Sequence, residues 1–453
     1  MAMASLSPAF VAPSSHGVLL SSTDLSGAGS RTTWRGEAAS LCRAPSRLPE
    51  RCLGLVMLAK GRRKWKRKAT RVRRYETNTW PAKDSCEVNF DEALSSIQQR
   101  SVALILNRNA KGVNKKVESK LQGIVGPART FACCSEEDAE HALRKVMDDC
   151  ECKVVVCGGG DGTVTSLLNM MAKLREEAVS NERELKSSPT MCVLRLGTGN
   201  ALAYLTGAQK NYAKDLSDLV DHVEEEEVPE IPTSTICLTA EGLPSDSPDK
   251  MHCFFAGLGY DARMLQDYMW LRDKTKENRF LSKMLHNPLG YLVALALRTL
   301  PATMRGEHVF HVKVTNLGED AYSMDPRRGD WAFECKKGQV IYEGETGIVS
   351  VGTVPYYGGG FRLFPFAGVR PGYAHLRLSH IHPAAATFNI RPLWQGTYRD
   401  YKHVHDFLVK DVMVEVDQPT PLHHSGDFMG TASKVRFQVT SDGSTRLVDF
   451  FED

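Results

Sequence analysis

Features that mark several common protein classes are absent from this 453-residue chain. No apolar run approaches the roughly 20 residues that a membrane-spanning helix needs, and the most apolar stretch, 291–297, is far too short. None of the 12 cysteines forms a Cys-x-x-Cys pair, and no acid or cysteine completes a site beside the paired histidines. The pattern Gly-x-x-x-x-Gly-Lys-Ser/Thr is also missing. We therefore expect no transmembrane segment, no transition-metal site and no P-loop.

Acidic residues are scarce at the start of the chain. Residues 1–75 carry 15 Lys or Arg and three acids, a net charge of +12, so the remainder carries −9. A mildly acidic body argues against nucleic-acid binding. Residues 1–59, rich in Ser, Ala and Leu, are typical of an organelle transit peptide, most like a chloroplast one, with the mitochondrion or a merely disordered terminus as alternatives.

Residues 60–84 form a basic linker in this interpretation. Ten Lys or Arg and no acid lie in 60–74. A retained arm of this kind would attract anionic lipids, which predicts peripheral contact with a membrane, and a solvated charge run is the alternative.

A run of glycines around one acid is the most informative feature present. Gly158-Gly159-Gly160-Asp161-Gly162-Thr163 lies between the apolar strand 153–157 and a helix that begins near Thr163. Bare backbone N–H groups at such a junction can close on phosphate oxygens, and a Cβ would block the approach. Asp161 cannot bind phosphate directly, but it can hold Mg²⁺, fix a loop, or take a proton from an attacking hydroxyl.

Strands and helices alternate through 85–230, which predicts an α/β domain with a parallel sheet. The apolar run 102–106 ends in a polar loop that contains Asn107 and Asn109. Ser135 is predicted to cap the next helix, with Asp138 three residues on. Polar residues at 176–190 are expected to form a surface insertion, and the strand 191–196 ends in Gly197-Thr198-Gly199-Asn200.

The pattern changes in 231–453, where apolar residues alternate with polar ones. This period of two predicts an antiparallel β-sandwich domain, with its last strand returning to the first domain. One helix, 289–300, is apolar nearly all round and is followed by Pro301. We expect it to be buried or to line an apolar pocket for the acceptor.

Loops at the carboxyl ends of neighbouring parallel strands converge on one crevice. The loops that begin at Asn107, Gly158 and Gly197 should therefore form a cradle of N–H groups for a triphosphate. Thr163 and Thr198 each follow a loop glycine and offer hydroxyls to phosphates. Asn200 is predicted to cap its helix and to touch the nucleotide, and helix capping alone is the alternative for all three residues.

With these motifs in order, the chain resembles the lipid kinases with a diacylglycerol-kinase catalytic domain, which include diacylglycerol, sphingosine and ceramide kinases. The resemblance extends over about 100–445. It rests on Gly159 to Thr163, on Leu196 to Ala203, on Asn107 to Gly112, on Gly257-Leu258-Gly259-Tyr260-Asp261-Ala262, and on Gly358-Gly359-Gly360-Phe361-Arg362-Leu363-Phe364-Pro365. It implies that ATP lies between an α/β domain and a β-sandwich that admits the lipid.

The resemblance implies a set of site residues. The nucleotide would be bound by Asn107, Asn109, Gly159, Gly160, Gly162, Thr163, Gly197, Thr198, Gly199 and Asn200. Asp161 is the predicted base, and Asp427 assists it or holds Mg²⁺ through water. Asp261 is either part of this metal network or a structural turn residue.

The chain departs from the family near its C-terminus. His424-Ser425-Gly426-Asp427 stands where the family has Asp-Gly-Glu, and Arg370-Pro371-Gly372 replaces a usual Asp-Gly. A serine hydroxyl cannot act as a general base near pH 7.

The sequence thus predicts an ATP- and Mg²⁺-dependent kinase of diacylglycerol, a monoacylglycerol or a sphingoid base. One alternative is an NAD kinase-like enzyme, which shares the first glycine loop but lacks the Gly-Thr-Gly-Asn segment at 197–200. The other is a non-catalytic lipid-binding or regulatory protein, which the loss of a carboxylate at Ser425 would permit.

Overall fold

We analysed a computed structural model of the chain. It describes residues 101–223, 227–245, 247–275, 277–278, 281, 284–285, 290, 293–307, 309–325, 330–440 and 445–451. All described residues belong to one compact unit. The predicted transit peptide, the basic linker and the first residues of the predicted α/β domain lie outside the described residues.

The first part of the chain alternates strands with helices. Its elements are β1 (Val102–Asn107), α1 (Lys115–Val125), β2 (Thr130–Cys133), α2 (Glu136–Met147), β3 (Val154–Gly158), α3 (Asp161–Ser180), β4 (Thr190–Val193), α4 (Ala201–Thr206), α5 (Tyr212–His222) and β5 (Glu230–Pro232). Most of the strand residues are buried, as their unbroken apolar runs predict for strands covered on both faces.

The second part is rich in antiparallel strands. Its elements are β6 (Thr235–Glu241), β7 (Met251–Cys253), β8 (Phe255–Gly259), α6 (Tyr260–Thr275), α7 (Leu300–Met304), β9 (Phe310–Asn316), β10 (Ala321–Asp325), β11 (Asp330–Cys335), β12 (Val340–Thr346), β13 (Ile348–Gly352), β14 (Ala374–Ser379), α8 (Pro383–Phe388), α9 (Ile390–Trp394), β15 (Val404–Val409), β16 (Asp411–His424), β17 (Asp427–Thr440) and β18 (Arg446–Val448).

Six strands form the first sheet, in the order β2-β1-β3-β4-β18-β5. The pairs from β2 to β18 are parallel, and β18 is antiparallel to β5. The final strand of the chain therefore lies in the first sheet. This order brings the carboxyl ends of β1, β3 and β4 side by side, which is where the three predicted loops begin.

Helix α2 begins as its sequence predicts. The Ser135 side chain accepts from the Asp138 N–H, and the Asp138 carboxylate accepts from the Ser135 N–H, which confirms the capping box. Helix α3 begins at Asp161, within two residues of its predicted start, and continues to Ser180 because 172–180 contains mostly good helix formers. The predicted surface insertion at 176–190 is therefore helical over 176–180.

The second sheet has twelve strands within the described residues. They follow the order β11-β10-β15-β14-β13-β8-β16-β17-β6-β7, with β9 joining β16 to β12. Each of these pairs is antiparallel, and the inward side chains of nearly every strand meet in one apolar core. The predicted fold class, a parallel α/β part followed by an antiparallel β part, is confirmed.

The apolar helix near Pro301 differs from its prediction. Leu295–Thr299 forms a π-helical turn that continues directly into α7, so Pro301 lies in a first helical turn and does not end the helix. Leu297 is exposed, so the expectation that this helix is buried fails there, and its lining of an acceptor pocket stays a prediction. Within the described ranges, no helix is long and apolar enough to cross a membrane.

Candidate functional site

The three predicted loops meet at one edge of the parallel sheet. Asn107 at the end of β1 donates from its Nδ2 to Thr163 Oγ1 at the start of α3, at 3.1 Å. A Cβ on Gly197 would lie 2.4 Å from the Gly160 Cα, so these two backbones touch. We call residues 158–163 the cavity loop and residues 197–200 the packed loop, for the different surfaces that each one contacts.

A cavity of about 930 Å³ opens beside the cavity loop. Its walls come from the loop after β1, from α2 and α3, from β7, and from the turn between β16 and β17. Of the predicted site residues, five line it: Asn107, Asn109, Gly162, Thr163 and Asp427. A volume of this size is ordinary for a small-molecule site.

The packed loop does not line this cavity. Asn200 has a left-handed backbone, with φ of 52°, and its side chain closes on Gly197 through two hydrogen bonds of 2.9 and 2.7 Å. The predicted capping of α4 by Asn200 is therefore wrong, because its side chain is used within the loop. Gly359 N–H donates to the Gly199 carbonyl at 2.6 Å, and Thr198 is exposed.

Asp161 supplies the cap that Asn200 does not. Its two carboxylate oxygens accept from the N–H groups of Ala201 and Leu202, at 3.0 and 3.1 Å. A Cβ on Gly199 would lie 2.9 Å from Asp161 Oδ2, so the contact also needs a glycine there. Burial raises the pKa of Asp161, and these backbone donors oppose the shift. The carboxylate thus holds the packed loop against the cavity loop.

Asp427 lines the same cavity, beside the cavity loop. It opens β17 and lies so close to the cavity loop that a Cβ on Gly162 would be 2.9 Å from its Oδ2. The side chain is accessible to solvent, yet the surrounding walls raise its pKa through desolvation, against the attraction of His423. A carboxyl in this position is a candidate proton acceptor.

Asp261 lies in a separate network inside the antiparallel sheet. Its Oδ2 accepts from Ser350 Oγ at 2.9 Å and lies 3.0 Å from His423 Nε2. The Tyr357 hydroxyl is also 3.0 Å from that nitrogen. These neighbours occupy the carboxylate, and metal binding by Asp261 stays a prediction.

Ser425 occupies the position at which the resemblance places an aspartate. It is buried, has a left-handed backbone with φ of 46°, and its hydroxyl accepts from Thr165 Oγ1 at 2.9 Å. A non-glycine residue in this conformation is uncommon. The contact joins the β16–β17 turn to α3.

Thr165, Asn169 and His424 are among the cavity residues that were not predicted from the sequence. The Asn169 side chain donates to the His252 carbonyl and accepts from its N–H, both at 2.7 Å, which fastens α3 to β7. Burial lowers the pKa of His424 to about 4, so its ring is neutral at pH 7. Thr165 and Asn169 are polar residues within the largely apolar helix segment 164–171, and this contrast is the sequence signal from which they could have been predicted.

The residues that line the cavity supply only some of the ligands that a magnesium ion needs. Among the described residues, no group of three His, Cys, Asp or Glu is placed to hold a metal. Of the three predicted carboxylates, only Asp427 lines the cavity. One carboxylate suffices for Mg²⁺ when substrate phosphates and water supply the other ligands.

Comparisons with known proteins test the family resemblance. The family model described as the diacylglycerol kinase catalytic domain matches residues 101–229, which confirms the resemblance over that part of the chain. No curated protein matches the chain.

Two solved structures from Bacillus anthracis str. Sterne are similar to the chain, and each comparison covers 77% of this chain and 97% of the other. A protein assigned as a diacylglycerol kinase is 18% identical with a TM-score of 0.50. A second diacylglycerol kinase structure is 17% identical with a TM-score of 0.48. Identities this low show the fold alone.

Proposed function

We propose that this protein is an ATP-dependent lipid kinase that phosphorylates a hydroxyl of diacylglycerol, a monoacylglycerol or a sphingoid base. The observation that carries the proposal is the cavity that Thr163, at the start of α3, and Asp427 line together. The family match supports a kinase of this class, and it gives no support to the NAD kinase-like alternative.

The phosphates of ATP would lie over the cavity loop. The N-terminus of a 20-residue helix presents unpaired N–H groups and the positive end of its dipole there. Thr163 adds a hydroxyl that Asn107 holds in place. These donors match the negative oxygens of a transferring phosphoryl group.

Asp427 would accept the proton of the acceptor hydroxyl. The lipid oxygen forms its bond to the γ-phosphorus as the bond from phosphorus to the β-phosphate oxygen breaks, and ADP leaves with that oxygen. Asp161 would be a positioning residue, because its oxygens hold the N–H groups of Ala201 and Leu202. Mg²⁺, when bound, would neutralise phosphate charge, with Asp427 as the available carboxylate.

The non-catalytic alternative keeps one observation in its favour, which is that Ser425 and Asp261 offer no free carboxylate to the reaction.

One experiment separates the candidates. The full chain would be incubated with labelled ATP and Mg²⁺ against diacylglycerol, monoacylglycerol, sphingosine and NAD. We expect label in a lipid; label in NAD alone, or in no acceptor while lipid still binds, would contradict the proposal.

We further propose that the protein acts in chloroplasts, on the basis of the composition of residues 1–59. A fluorescent fusion to the C-terminus of the full chain should co-localise with plastids. Deletion of 1–59 should leave the fusion in the cytosol, and mitochondrial signal from the full chain would contradict the proposal.

A further inference from the structure

An unusually long connection joins two neighbouring strands of the antiparallel sheet. Strands β14 and β15 pair directly, with Ser379 opposite Val404, yet residues 380–403 lie between them. Adjacent antiparallel strands need only about 2–5 residues to turn, so this connection is far longer than the pairing requires. We call residues 380–403 the insertion; it contains α8 and α9.

The insertion presents large apolar side chains to solvent. Phe388 is 89% exposed and Ile390 is 59% exposed, and Trp394 and Tyr401 are also exposed. Phe388 ends α8 and Ile390 opens α9, so both lie at the junction of two short helices. Trp and Tyr are the side chains that favour the boundary between water and lipid.

The charge of the insertion is positive. Its cations are Arg391, Arg399 and Lys402, all exposed, and its one acid is Asp400. The Asp400 carboxylate accepts from the Tyr398 hydroxyl at 3.2 Å and lies 2.9 Å from His403 Nδ1. The face therefore combines apolar tips with cations, which suits an anionic bilayer. Two copies of the face docked on each other would bring like charges together.

The insertion is also continuous with the candidate site. Trp394 stacks on Phe361 with ring centroids 5.4 Å apart, and its carbonyl accepts from the Arg362 N–H at 3.0 Å. In the same turn, Gly359 N–H donates to the Gly199 carbonyl of the packed loop. The insertion thus contacts the turn at 358–362, that turn contacts the packed loop, and the packed loop touches the cavity loop.

We propose that the insertion docks this protein on an anionic lipid bilayer, with Phe388 and Ile390 entering the acyl region and Arg391 and Lys402 lying at the headgroups. Docking there brings the site to the surface from which a lipid acceptor would come. This second statement rests on the proposed function, whereas the docking itself does not.

The test compares two pairs of exposed apolar residues in the full chain. The docking variant is Phe388→Ser with Ile390→Ser, and the matched control is Leu297→Ser with Met304→Ser, whose side chains are 63% and 79% exposed. Binding to vesicles of phosphatidylcholine with phosphatidylglycerol is measured by sedimentation, at a salt concentration that screens the basic residues 60–74.

We expect the docking variant to bind at least about tenfold more weakly, since two large side chains no longer enter lipid, and the control to stay within about twofold. Undiminished binding of the docking variant, or an equal loss in the control, would overturn the proposal. A second variant, Arg391→Gln with Lys402→Gln, should weaken binding at low salt to anionic vesicles and leave binding to pure phosphatidylcholine unchanged; an equal loss on both vesicles would contradict the role of the cations.

Kinase assays separate this proposal from the proposed function. The docking variant should lose activity on diacylglycerol in vesicles and keep wild-type activity on a short-chain acceptor dispersed in water. Loss on both acceptors would show damage to the site and overturn the docking role in catalysis. If wild-type protein labels no lipid but the vesicle results hold, the proposed function fails and the docking surface stands.

Discussion

The cavity loop and the packed loop are similar in sequence and differ in what they contact. Both follow a buried parallel strand and open a helix, and their backbones touch at Gly160 and Gly197. The cavity loop turns Gly162 and Thr163 toward open space. The packed loop is closed by its own Asn200 and pressed against Gly359.

Glycine in such a loop therefore has two separate structural roles. In the cavity loop it leaves backbone donors accessible to a ligand. In the packed loop it lets two chain segments approach more closely than a Cβ would allow. The two candidate acids divide in the same way, because Asp427 faces the cavity and Asp161 joins the loops.

The largest expected effect concerns Asp427. Replacement by Asn should lower kcat about 100-fold or more, because removal of a general base typically costs about 10²–10⁴ in rate. ATP binding, measured by calorimetry without Mg²⁺, should change little. A variant with more than half of the wild-type kcat would show that the proton goes elsewhere.

The same residue predicts a pH dependence. Burial raises the pKa of Asp427, and a base must be unprotonated, so kcat/KM should rise with pH through that pKa and then level off. The free energy of unfolding should change with pH in the opposite direction. A carboxyl whose folded pKa exceeds its unfolded value loses stabilising free energy as pH rises from the unfolded to the folded value. Asp427→Asn should therefore melt no lower than wild type at pH 7.

The next effect distinguishes a positioning role for Asp161 from a chemical one. Asp161→Ala removes the cap on Ala201 and Leu202, which should lower the free energy of unfolding by about 1–2 kcal/mol. Asp161→Asn keeps one acceptor oxygen and should lie between Ala and wild type in both stability and activity. If both variants are equally inactive and as stable as wild type, Asp161 is the base.

Close contact between the loops gives a third prediction. Gly197→Ala should lower the free energy of unfolding by about 1–3 kcal/mol, because its Cβ would lie 2.4 Å from Gly160 Cα. Gly123→Ala in α1 is the matched control, since nothing lies within 4 Å of its Cβ, and it should stabilise by about 0.5–1 kcal/mol. Equal melting temperatures for the two variants would mean that the loops separate without cost.

The smallest effect compares the two threonines. Thr163→Val removes a hydroxyl that faces the cavity and should raise the KM for ATP by about threefold to tenfold. Thr198→Val alters an exposed residue outside the cavity walls and should change that KM by less than about twofold. The reverse order would place the phosphates on the packed loop.

The features that could be predicted from sequence were local ones. Apolar runs located β1 and β3, the Ser135 capping box located the start of α2, and period-two alternation identified the antiparallel part. The order of motifs identified the family. Each of these signals lies within a few residues of the element that it describes.

The contacts that decide the site are long-range and could not be predicted in this way. Asp161 meets Ala201 across 40 residues, and Thr165 meets Ser425 across 260. A carboxylate between glycines has the same local pattern whether it faces a ligand or a neighbouring helix. The prediction of Asn200 as a cap failed for that reason, because the Asp161 carboxylate of the cavity loop accepts from the first N–H groups of α4.

The central claim is that the cavity loop and Asp427 surround the transferred phosphate while Asp161 holds the packed loop. A crystal structure of the full chain with Mg²⁺ and a non-hydrolysable ATP analogue tests it most directly. We expect the γ-phosphate to lie beside Thr163 and Asp427. Both Asp161 oxygens should still accept hydrogen bonds from the N–H groups of Ala201 and Leu202. A γ-phosphate bound on the packed loop, with Asp161 released from those groups and turned toward it, would contradict the account.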